Sequence, residues 1–124
     1  MAKDKWVPNE IHRVEDYLYH LDEKTAEWAW TLHEFLLSYG QMRCSLRWSL
    51  PFYGHHKWLV YLNPKKPSGL ECCFMNFKSL STSEGILHSR GRSMVAGLKF
   101  PDESKDIHVL EAPILETVLL DRGY

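Results

Sequence analysis

Apolar side chains recur at helical spacing through the first forty residues and then begin to alternate. Ile11, Val14, Leu18 and Leu21, with Tyr17 beside them, line one face of a short amphipathic helix that opens after Pro8 and Asn9. Asp22 interrupts the stripe, and a carboxylate there can accept hydrogen bonds from the free amides of a second helix. That helix carries Thr25, Trp28, Ala29, Leu32, Phe35, Leu36 and Tyr39 on one face and is expected to stop at Gly40 in a left-handed conformation. Trp30 and Leu37 fall outside the stripe, so they either widen the core face or mark a partner surface.

From residue 41 the period changes to two. Alternation predicts a strand over 41–50, continued briefly by Phe52 and Tyr53, with Met42, Leu46 and Trp48 on its core face and Arg43, Ser45, Arg47 and Ser49 opposite. Gly54, His55, His56 and Lys57 then turn the chain into a second run, Trp58 to Leu62, and the two runs are read as a strand pair burying one face. Further strands are expected over 70–77 and 94–100, with turn chemistry at 63–69 and a helical turn plus a mobile loop over 79–92. Pro113 has no amide proton and suits only a first helical turn. The last helix should therefore start near Ala112, carry Ile114, Leu115, Val118 and Leu119, and leave residues 107–110 extended or kinked. The predicted fold class is α+β: an antiparallel sheet of four to five strands with helices packed on one face, in the order α-α-β-β-β-(short helix)-β-α.

A chain of 124 residues fits a single domain spanning 1–124, with residues 1–9 read as a flexible tail. Hydrophobic residues at 44% and charged residues at 25% exclude a disordered chain. The net charge of −1 offers no general attraction to phosphate backbones, so no nucleic-acid partner is expected. The chain also contains no apolar run of membrane-spanning length and begins without an apolar signal region. The expectation is a cytoplasmic protein with no membrane partner. Cys72 and Cys73 are adjacent in a predicted strand and point to opposite faces, which fits reduced thiols rather than a disulfide framework or a zinc knuckle.

Trp48, Pro51, Tyr53, Lys57, Leu59, Val60 and Tyr61, followed by Phe77 and Leu80 and then by Gly85, Ile86, Leu87, Gly91 and Arg92, form a pattern that resembles the YdhG-like family of small bacterial domains. The resemblance covers about residues 11–120. It implies a compact α+β domain similar to the frataxin architecture, in a family of which one class is regarded as an intracellular iron chaperone and most members have no assigned activity.

Iron handling of that kind relies on carboxylates with occasional imidazoles, which hold Fe(II) loosely enough to release it. Candidate ligands here are Glu15, Asp16, Glu23 and Glu27 on the first two helices, and His55 and His56 in the predicted turn. An ordinary solvated helix face accounts for the acidic residues better than metal ligation does, and adjacent turn histidines are more often plain polar turn residues. Arg43, Arg47, Tyr53, Lys57 and Trp30 are the candidates for a ligand or partner surface. No Gly-x-Ser-x-Gly elbow and no Gly-rich phosphate loop is present, so an enzyme is not expected and no cofactor is required. The leading expectation is a binding domain with weak divalent metal handling, Fe(II) above all. The alternative is a protein-interaction or homo-oligomerisation module without metal, monomer or homodimer, and a weaker option is a small enzyme with a pocket near the hairpin.

Overall fold

The change of period near residue 41 marks the boundary between helices and sheet. In the computed structural model, which describes residues 7–123, helices α1 (Ile11–Tyr19) and α2 (Glu23–Leu37) come first. Strands β1 (Arg43–Arg47), β2 (Leu50–Gly54), β3 (Trp58–Pro64), β4 (Leu70–Met75) and β5 (Val95–Phe100) follow, and α3 (Glu111–Asp121) closes the chain. Single 3-10 turns occupy Phe77–Ser79 and Ile107–Leu110. Every strand pairs antiparallel with the next in sequence, so the sheet order is β1-β2-β3-β4-β5. The fold is thus α+β, as the periodicities predict.

Strand alternation sorts the sheet into two faces. Cys44, Tyr53, Val60, Phe74 and Ala96 are register partners across all five strands, and Ser45, Phe52, Tyr61, Cys73 and Gly97 form the adjacent row on the opposite face. Cys44, Tyr53, Val60 and Phe74 gather in one core with Val14 and Leu18 of α1, Ala29, Leu32 and Leu36 of α2, and Ile114 and Val118 of α3. A buried aliphatic side chain of this size stabilises the fold by about 1.5–3 kcal/mol, so the core positions dominate the architecture.

Local chemistry fixes the helix ends. Asp22 caps α2 by accepting a hydrogen bond from the Thr25 amide at 3.1 Å. Pro113 sits in the first turn of α3, where its missing amide leaves no carbonyl unpaired. The expected left-handed stop falls one residue later than predicted: Gln41 adopts φ 49°, while Gly40 has no positive φ.

Other expectations are corrected as well. The alternating run 41–50 is interrupted at Trp48 and Ser49, with φ of 48° and 64°, which form the two-residue loop between Arg47 and its partner Leu50. Phe52 and Tyr53 consequently belong to a separate strand, and Trp48 lies at the hairpin tip, 71% exposed rather than in the core. Residues 7–10 also run along β1 instead of trailing: Val7 donates to the His55 carbonyl at 2.8 Å, Glu10 donates to the Cys44 carbonyl, and Asn9 Oδ1 accepts from the Cys44 amide. The remainder of the predicted tail lies outside the described residues. Finally, the short helical element before β5 comes earlier than expected, as the 3-10 turn Phe77–Ser79, and residues 81–82 and 84–86 are turns. Glu116 of α3 holds that segment by accepting from the amides and hydroxyls of Ser81 and Thr82 at 2.6–2.9 Å.

Cys44, Cys72 and Cys73 are all free thiols and all buried. Cys72 and Cys73 face opposite sides of the sheet as alternation requires, and burial pushes the thiols of Cys44 and Cys73 up to about 12. Among the described residues no helix is long and apolar enough to cross a membrane.

Candidate metal centre

The turn after β2 is tight because of one residue. A Cβ on Gly54 would lie 2.0 Å from the Lys57 carbonyl oxygen, so only glycine lets the chain fold back where the β2–β3 register shifts. The His55 amide closes this turn by donating to the Lys57 carbonyl at 3.2 Å. Adjacent residues that would diverge in a strand are thereby held together, and the His55 and His56 rings lie 4.2 Å apart.

The third group comes from the other end of the chain. Asp121, the last residue of α3, turns its fully buried carboxylate into the turn. Its Oδ2 accepts from the His56 amide at 2.9 Å and its Oδ1 from the Lys57 amide at 3.1 Å. His55 Nδ1 lies 3.7 Å from Asp121 Oδ2. One ligand atom from each of His55, His56 and Asp121 falls within 4.8 Å of the other two. Burial, reinforced by the neighbouring His56, holds the His55 imidazole below its ordinary pKa, which favours the neutral ring that ligates metals. Two imidazoles and a carboxylate suit zinc, nickel, cobalt and ferrous ions, with positions left over for water or a further ligand.

The acidic residues predicted as metal ligands are not part of this group. Glu15 Oε2 lies 3.4 Å from His33 Nε2, Asp16, Glu23 and Glu27 are exposed on α1 and α2, and none of the four joins a ligand cluster among the described residues. The predicted ligand surface also separates. Tyr53 is fully buried, and its hydroxyl lies 2.8 Å from His33 Nδ1. Trp30 and Leu37 are half-buried against the core, with Trp30 edge-on to Tyr19 and His33. Arg43 donates to the Val7 carbonyl at 3.2 Å. Arg47 packs its guanidinium 5.4 Å from the Trp48 ring and 5.7 Å from the Trp58 ring. Lys57 remains exposed beside the histidine turn.

A second polar cluster went unpredicted. Glu71 of β4 is fully buried on the sheet face opposite the helices, where Arg92 Nη2 donates to its Oε2 at 2.7 Å and Arg90 Nε at 2.9 Å, and Lys65 lies 3.6 Å from Oε1. Glu103 accepts a bidentate pair from Arg90 at 2.8 and 2.5 Å. Burial raises the Glu71 pKa, but the hydrogen bonds and charges of Arg92 and Arg90 outweigh it and hold the carboxyl below its ordinary value. Room for the carboxylate comes from Gly97 on β5, where a Cβ would stand 2.6 Å from Glu71 Oε2. This cluster is fully compensated and reads as a structural clasp that fastens residues 90–92 over the sheet.

Comparison with family models, with curated proteins and with solved structures returned no match. The site rests on its own geometry.

Proposed function

We propose that this chain is a non-enzymatic binding domain that takes a divalent cation at His55, His56 and Asp121. The supporting observation is the mutual approach of three ligand atoms, each within 4.8 Å of the others, from residues up to 66 positions apart in the sequence. Imidazole-rich sites follow the general affinity order in which zinc and copper outrank ferrous iron, so Fe(II) is one cargo of this site and Zn(II) binds it more tightly. The resemblance to YdhG-like domains points the same way for Fe(II), although the ligands proposed now are not the acidic helix residues.

The test is an anaerobic titration of the tag-free protein with Fe(II), Co(II) and Zn(II), followed by amide chemical shifts and, for Co(II), by visible absorption. Shifts centred on His55, His56 and Asp121, abolished in His55→Ala and His56→Ala, are expected. A response confined to Glu15, Asp16, Glu23 and Glu27 would return the site to the helices, and no response would end the metal reading.

A homo-oligomerisation module is the second reading, favoured by the exposed side chains of Leu115, Leu119 and Leu120 on α3. Sedimentation across a hundredfold concentration range, with wild type compared against Leu119→Ser, decides it. A monomer throughout removes this reading.

A further inference from the structure

Next to the histidine turn the molecule has a cleft of about 160 Å³, bounded by the start of β3, the end of β4 with its 3-10 turn, and the last turns of α3. Its polar lining is Lys57, Asn76, Ser79, Thr117 and Asp121. This lining combines one cation with three neutral groups that can donate and one carboxylate. Lys57 brings an ammonium that forms no ion pair among the described residues. Asn76 and Ser79 bring an amide and a hydroxyl whose side chains make no hydrogen bond among the described residues. The only carboxylate is Asp121, and each of its oxygens already accepts a backbone amide of the turn.

Thr117 is the decisive residue. It is 5% exposed, it lines the cleft, and among the described residues its hydroxyl neither donates nor accepts a hydrogen bond. Its hydroxyl is not a sealed atom but opens on the cleft, so it is a donor free to meet a ligand there. Its counterpart Thr31, on α2, satisfies itself in the ordinary way by donating to the Glu27 carbonyl at 2.8 Å. Thr117 has the same option one turn back along α3 and does not take it.

We propose that this cleft binds a small oxyanion, a carboxylate or a phosphate, held by the Lys57 ammonium and by donors from Asn76, Ser79 and Thr117. Drug-sized pockets measure about 300–1,000 Å³. A cleft of about 160 Å³ therefore fits a ligand of few heavy atoms. Unpaired cation and convergent neutral donors are the chemistry that oxyanions select. The proposal stands apart from the metal reading, since none of its donors is one of the three proposed cation ligands, although Asp121 borders both sites.

Titration of the metal-free protein with inorganic phosphate and, separately, with succinate tests it, at ionic strength held constant with sodium chloride and read by amide and side-chain chemical shifts. Saturable shifts at Lys57, Asn76, Ser79 and Thr117 are expected with at least one of the two, and the stronger response tells phosphate from carboxylate as the source. Lys57→Met, at an exposed position, and Thr117→Val should each weaken binding about tenfold, and Thr117→Ser should restore it. Shifts that do not saturate, or that Lys57→Met leaves unchanged, overturn the proposal. Because no metal is present in this experiment, its failure leaves the cation site untouched, and loss of cation binding in His55→Ala leaves the oxyanion response untouched.

Discussion

The carboxylate of Asp121 and the backbone amide of His56 meet at 2.9 Å, 65 positions apart in sequence, and tie the last turn of the final helix to the turn between β2 and β3. The same carboxylate accepts from Lys57. Hydrogen bonds to a charged acceptor are worth about 1.5–3 kcal/mol each, so Asp121→Ala should lower unfolding stability by about 3 kcal/mol in urea denaturation. Asp121→Asn keeps the shape and one acceptor oxygen, and should recover part of that loss while still weakening Zn(II) binding. An alanine variant as stable as wild type would show that the tie is incidental.

At the hairpin tip the prediction runs the other way. Trp48 and Ser49 both hold φ near +50° to +65°, where a bulky L-residue costs about 1–2 kcal/mol relative to glycine or asparagine. Trp48→Asn combined with Ser49→Gly should raise the denaturation midpoint by the equivalent of about 1–2 kcal/mol. The gain is offset by the lost contacts of the indole with Phe52 and Arg47. A net decrease would mean that those contacts outweigh the backbone strain.

These two loci also show what the chain makes legible. Both long helical stripes, the Asp22 cap and the position of Pro113 are read from local spacing, because helix period and capping act within four residues. The β1–β2 turn is hidden because it contains neither Gly nor Asn nor Asp, and a two-residue loop lets the alternation of 42–50 pass through it unbroken. In the candidate site His55 and His56 stand out as neighbours. Asp121 carries no local signal, since only the packing of α3 brings it to them. The acidic residues of α1 and α2 drew attention as ligands although a solvated helix face explains them. Glu71, a single carboxylate inside an otherwise apolar strand, was the clearer sign of something built.

Removing the Glu71 carboxylate should be severe. Arg90 and Arg92 would keep their charges over a site designed to neutralise them, and breaking one side of a buried ion cluster costs about 3–5 kcal/mol. Glu71→Leu should fall in that range. Gly97→Ala should destabilise by about 1–3 kcal/mol through overpacking, because its methyl would meet both Glu71 Oε2 and the Cys72 carbonyl oxygen at under 3 Å. Thermal denaturation of both variants gives the measurement, and a wild-type midpoint for Gly97→Ala would mean that the strands separate more easily than the register implies.

Acid should act in two stages. Burial holds the His33 imidazole below its ordinary value of 6.5, although Glu15 pulls the other way. A depressed pKa means the folded chain binds this proton less readily than the unfolded chain. Its stabilising contribution is therefore complete above pH 6.5 and is lost as pH falls through the depressed value. Glu103, lowered to about 2 chiefly by Arg90, and Glu116, lowered to about 2 chiefly by Thr82, follow the same sign between their ordinary 4.5 and pH 2. Urea midpoints measured from pH 8 to pH 3 should decline first below pH 6.5 and again below 4.5. The buried His55 imidazole, also held below 6.5, acts with the same sign, so His33→Gln should shrink the first decline without erasing it and leave the second, and a wild-type curve flat from pH 7 to 5 would contradict the role given to His33.

The three sealed cysteines make the molecule its own stopwatch. An alkylating reagent finds no sulfur to attack until the sheet parts, so the rate at which label accumulates, followed by mass, reports how often the whole domain breathes open. A bound cation at the histidine turn would slow that clock without touching a single thiol.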